Sequence, residues 1–72
     1  MTLIEIAQVY TDLVTAESKI PEEESHAKDQ VNALRTKYHQ LLMDKMTQEG
    51  IFFVDRFDAM NKAFELIQRE HV

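Results

Sequence analysis

Residues 49–60 read EGIFFVDRFDAM, and the places where helices stop and start in this stretch decide the fold. Gly50 is the only glycine in the chain, and the four residues after it, Ile51 to Val54, are all apolar. A glycine just past a helix supplies the left-handed residue that ends it, so the preceding helix should stop at about Glu49. Beyond the turn, Phe53, Phe57, Met60, Phe64, Ile67 and His71 recur at alternating steps of four and three. That is a heptad stripe, and it predicts a helix over about residues 53–70 with this face in the core. Asp58 with Lys62, and Glu65 with Arg69, add acid-first pairs one turn apart on the outer side.

Working back from Gly50, the seam Ala27, Val31, Leu34, Tyr38, Leu41, Leu42 and Met46 predicts one long helix. Its start falls at Pro21, since proline suits the first helical position and Glu22, Glu23 and Glu24 complement the dipole there. A helix over about residues 21–49 would exceed roughly 40 Å, leaving the segment Glu22–Gln30, poor in large apolar residues, to overhang or fray. Before it, Thr2 and Glu5 are spaced as a capping box, opening a helix over about residues 3–18. Leu3, Ile6, Tyr10, Leu13 and Val14 share one of its faces.

The expected architecture is all-α and a single domain over residues 1–72. It is a three-helix up-down-up bundle, or a long helical hairpin with a short N-terminal helix, completed by homodimerisation. The expected core is Leu3, Ile6, Tyr10, Leu13, Val31, Leu34, Tyr38, Leu41, Phe53, Phe57, Met60, Phe64 and Ile67. On this placement, Phe57→Ala should cost roughly 3–5 kcal/mol.

Composition supports helices and narrows the chemistry. One Gly and one Pro in 72 residues fall far below the usual share of about 12% for the two together. There is no Cys, so neither a disulfide nor a thiolate zinc site can reinforce so thin a core. Oligomerisation is the remaining means. A net charge of −5, with the eight basic residues dispersed, argues against nucleic-acid binding. The exposed side of the third helix would offer Asp55, Asp58 and Glu65 to phosphates, which opposes a helix-turn-helix reading. The longest apolar run is far shorter than a membrane span, and the N-terminal segment carries acids where a signal peptide has a basic leader, so a cytoplasmic location is expected.

Candidate catalytic groups are sparse. Glu23 and His26 form half of a di-iron motif, but the later QREH stretch has Gln68 in place of the acid. His39, one turn from Arg35, is expected on an exposed flank, and His71 as a dipole partner in a last turn. No phosphate loop or nucleophile elbow occurs, and so small a helical chain lacks walls for a large ligand pocket. No enzymatic activity, cofactor or metal is expected.

The surplus of apolar residues at the turn is the remaining signal. Met43, Met46, Ile51, Phe52 and Val54 exceed what one small monomer can bury, so they are the expected interface, closing a homodimer or receiving an amphipathic helix of another protein. The expectation is a non-catalytic protein–protein interaction module, whether adaptor, regulator or helical co-chaperone. In architecture alone the chain resembles small helical co-chaperones of secretion systems and small phage or bacterial regulators. From other classes, the 13 acidic residues fit an acidic inhibitor that mimics nucleic acid, and the carboxylates fit a metal-carboxylate helical protein.

Overall fold

The computed structural model describes residues 1–70, which form three helices: α1 (Leu3–Lys19), α2 (Ser25–Gln48) and α3 (Arg56–Glu70). They pack into a bundle of 40 × 25 × 22 Å with no strand among the described residues. His71, placed on the third-helix stripe by its spacing, lies outside the described residues.

α1 begins as its sequence dictates. The Thr2 hydroxyl accepts from the Glu5 amide at 3.2 Å and the Glu5 carboxylate accepts from the Thr2 amide at 3.0 Å, completing the capping box. The backbone hydrogen bond from Thr2 is the main reason the Glu5 carboxyl sits below its ordinary pKa. α1 ends at Ile20, whose extended backbone (φ −82°, ψ 127°) is what the following Pro21 imposes on its neighbour.

The start of α2 differs from the expected one. Pro21 does not open the helix. It heads a turn closed by the Glu24 amide donating to the Pro21 carbonyl at 3.0 Å, and α2 begins four residues later, at Ser25. Glu22 instead reaches forward to Lys28, 2.7 Å away, which lowers its pKa. At the other end Gly50 adopts φ 74°, the left-handed conformation its position required. The Ile51 amide donates to the Met46 carbonyl at 2.9 Å and the Gly50 amide to the Thr47 carbonyl at 3.2 Å, the paired bonds of a Schellman motif. A Cβ added at Gly50 would meet nothing within 4 Å, so Gly50→Ala isolates the backbone cost. We expect it to destabilise the protein by about 1–2 kcal/mol, measured by chemical denaturation. A neutral effect would mean that the turn relaxes out of the left-handed region.

The path after Gly50 departs from an up-down-up bundle. Ile51, tied to Met46 at the end of α2, lies beside Lys62, Leu66 and Arg69 in the later turns of α3. Arg56, the first residue of α3, instead meets His39 in the middle of α2. The connection 49–55 therefore runs back along the bundle, and α3 returns toward the C-terminal end of α2. The length allows it: even with turns at both ends, a seven-residue connection, which fully extended would reach roughly 23 Å, can span part of a 15-residue helix of about 22 Å. The hairpin of the fold is α1 with α2, and α3 descends alongside.

The expected start of the third helix at Phe53 is corrected for the same reason. Asp55 caps α3, its Oδ1 accepting from the Asp58 amide at 2.9 Å, while Asp58 Oδ2 accepts from the Val54 amide at 2.9 Å. The Val54 bond is the leading cause of a lowered Asp58 pKa, with Lys62 adding to it. Lys62 donates to the Phe52 carbonyl, lies 3.4 Å from Asp58 and sits 5.6 Å from the centre of the Phe52 ring. One lysine thus fixes the connection to α3.

The core consists of Leu3, Ile6, Ala7 and Tyr10 from α1, Leu42 and Met46 from α2, and Ala59, Ala63 and Ile67 from α3. Val14, Tyr38, Met43, Ile51, Phe53, Met60 and Leu66 pack around it, half-buried. Leu13, Val31 and Phe64 are also only half-buried. Three residues expected in the core are exposed: Leu34, Leu41 and Phe57, the last to 74%. The reason is one of phase. α2 buries the stripe of His39, Leu42 and Met46, about 100° around the helix from Tyr38 and Leu41. α3 buries Ala59 and Ala63, small side chains that let the helices approach closely and leave the Phe57 ring outside.

Candidate interaction surface

The connection and the start of α3 present the most exposed large apolar side chains among the described residues. Phe52 and Val54 are each 76% exposed and Phe57 74%. Of the residues expected at an interface, Phe52 and Val54 are exposed. Met43 and Ile51 are half-buried against the core, and Met46 is wholly buried within it. The expectation for Met46 is thus corrected: it lies on the buried stripe of α2 with His39 and Leu42. Phe57 joins the surface in its place, a residue that sequence reading missed because heptad spacing put it inside.

This surface is held in place rather than loosely draped. The Asp55 and Asp58 caps fix the backbone on either side of Phe57, and Lys62 fixes the carbonyl and ring of Phe52. Beside Phe57 lies a groove of about 220 Å³. Tyr10 forms its floor, Arg35 and His39 of α2 one wall, and Arg56, Phe57 and Met60 of α3 the other.

His39 is the polar centre of this groove and is buried, not on the exposed flank expected for it. Its Nε2 lies 3.1 Å from the Arg56 carbonyl and its Nδ1 3.3 Å from the Tyr10 hydroxyl. A carbonyl can only accept, so Nε2 carries the proton and the Tyr10 hydroxyl donates to Nδ1. The two rings meet edge to face with centroids 5.0 Å apart. Burial lowers the His39 pKa, and the guanidinium groups of Arg56 and Arg35 lower it further, against a raising effect of the Arg56 carbonyl. The imidazole is therefore a neutral bracket joining α1, α2 and α3. Among the described residues its hydrogen-bond partners are the Tyr10 hydroxyl and the Arg56 carbonyl, and none is a carboxylate.

Other hollows carry less. One of about 430 Å³, wider than sequence reasoning allowed for, opens between the end of α1 and the first half of α2 and is lined by Val14, Glu17, Ser18, Ile20, Glu22, Lys28 and Arg35. Its charges are already paired: Arg35 Nε lies 2.6 Å from Glu17, though not aligned as a hydrogen bond, and Lys28 holds Glu22. Among the described residues, no group of three or more His, Asp or Glu is arranged to hold a metal ion, and no helix is long and apolar enough to cross a membrane. Comparison of the chain with known protein families, with curated proteins and with solved structures gives no match.

Proposed function

We propose that this chain is a non-catalytic protein–protein interaction module, an adaptor, regulator or helical co-chaperone, that works as a homodimer and docks through the connection between α2 and α3. The observation that carries this reading is the exposure of Phe52, Val54 and Phe57, each about three-quarters open to solvent within six residues of a firmly held segment. Leaving apolar surface in water forgoes roughly 25 cal/mol per Å², and a partner that covers these side chains recovers it. The core is complete without these three side chains, so the surplus is available to a partner.

Sedimentation equilibrium across a wide concentration range tests the reading on the wild type and on Phe52→Glu. The wild type should be dimeric at the upper end. The variant should keep its helical circular dichroism, since Phe52 lies outside the core, and should dissociate about tenfold more readily. A wild type that stays monomeric throughout rules out the homodimer.

A further inference from the structure

We propose that two copies pair through the groove between α2 and α3, each placing its Phe57 ring in the hollow of the other and closing reciprocal Arg56–Asp55 ion pairs across a two-fold axis. This rests on the self-association proposed above and specifies how it is built.

Shape is the first support. The groove is lined by Tyr10, Arg35, His39, Arg56, Phe57 and Met60, and its open surface is mostly apolar. The nearest large apolar group that points away from the core is Phe57, on the rim of that same groove. A protrusion beside a hollow within one patch is self-complementary, because a two-fold axis passing between them carries each protrusion to the opposite hollow.

Charge is the second and independent support. Asp55 and Arg56 are adjacent, opposite in sign and exposed, and neither takes part in an ion pair among the described residues. An axis beside them sets Arg56 against the partner's Asp55 and repeats the contact in reverse, so one pair of residues yields two ion pairs. A different ligand fits less well. An acidic peptide drawn to Arg56 meets Asp55, and a basic one drawn to Asp55 meets Arg56. The patch alternates in sign, and another copy of itself matches that alternation. Arg35 takes no part, being held by Glu17 and by Asn32 at 2.7 Å.

The test uses Arg56→Glu and Asp55→Arg, each alone and mixed in equal amounts, with Phe57→Ala as a third variant, all read by sedimentation equilibrium with circular dichroism as the folding control. Each charge variant alone opposes like charges and should weaken the dimer about tenfold or more. The mixture should recover wild-type association, because the introduced acid then faces the introduced arginine while the native Asp55 faces the native Arg56. Phe57→Ala should weaken the dimer by a similar factor. Asp55 also caps α3, so if its variant loses helix, Arg56→Glu and Phe57→Ala decide. A dimeric wild type whose charge variants associate as tightly as it does, or whose mixture is no tighter than either variant alone, overturns this pairing and leaves the homodimer standing. A dimer indifferent to Phe57→Ala overturns it equally. A monomeric wild type overturns both.

Discussion

Leu42→Ala should destabilise this protein by about 2–5 kcal/mol, while Phe57→Ala should cost less than about 1 kcal/mol. Leu42 is one of the three largest side chains that are completely buried, the others being Tyr10 and Met46, so truncation removes contacts and leaves a cavity. Domains of this size hold stabilities near the lower end of about 5–15 kcal/mol, so the loss is a large part of the total and the variant should be substantially unfolded at 37 °C. Phe57 loses a ring that is mostly in water already. Chemical denaturation followed by circular dichroism, at concentrations where the chain is monomeric, measures both. Similar losses for the two variants would show that α3 packs through its phenylalanines after all, and the placement of its buried face on Ala59 and Ala63 would have to be abandoned.

That contrast shows where the sequence was legible and where it was not. Helix ends governed by local chemistry could be read directly: the Thr2–Glu5 box, and Gly50 with its positive φ. The cap of α3 was equally local, because Asp55 and Asp58 stand three apart like Thr2 and Glu5, with an acid in place of the threonine. The run Ile51–Val54 masks it, because four apolar residues in a row draw the expected helix start toward Phe53. Helix phase was harder. Sequence reading assigns the core to the largest side chains, but between closely packed helices the residues at the contact are small. Ala7, Ala59 and Ala63 have no exposed surface, and the phenylalanines of α3 are displaced to its flanks. On α2 the buried stripe contains His39 and is bordered by Arg35, so its polar members hid its four-three spacing. The interaction surface was half legible. Phe52 and Val54 stood out as surplus at the turn, while Met46 and Phe57 exchanged places because the path of the connection depends on Lys62, eight residues beyond Val54.

His39 gives the second large effect, and it depends on pH. In the folded chain its ring is buried, donates to the Arg56 carbonyl and accepts from the Tyr10 hydroxyl, with two arginines nearby, so its pKa lies below the ordinary imidazole value of 6.5. The unfolded chain therefore binds the proton more readily than the folded one. By linkage, the stabilisation from neutral His39 is fully present above pH 6.5 and is lost as pH falls through the folded-state pKa, with a slope no steeper than about 1.4 kcal/mol per pH unit for one proton. The carboxyl groups of Glu5, Glu22 and Asp58 are also lowered, from starting values of 4.5 or less, so their titration falls below this window. Denaturation midpoints measured between pH 7.5 and 5 should decline for the wild type and stay nearly level over that interval for His39→Leu. At pH 7.5 the same substitution should cost about 1–3 kcal/mol, because the Tyr10 hydroxyl is left buried without its acceptor. Adding Tyr10→Phe to His39→Leu should recover part of that loss by removing the orphaned hydroxyl, an interaction a double-mutant cycle resolves. If the wild type and His39→Leu fall in parallel as the pH drops, the proton is taken up elsewhere, and His39 is not the neutral bracket that holds the start of α3 against α1 and α2.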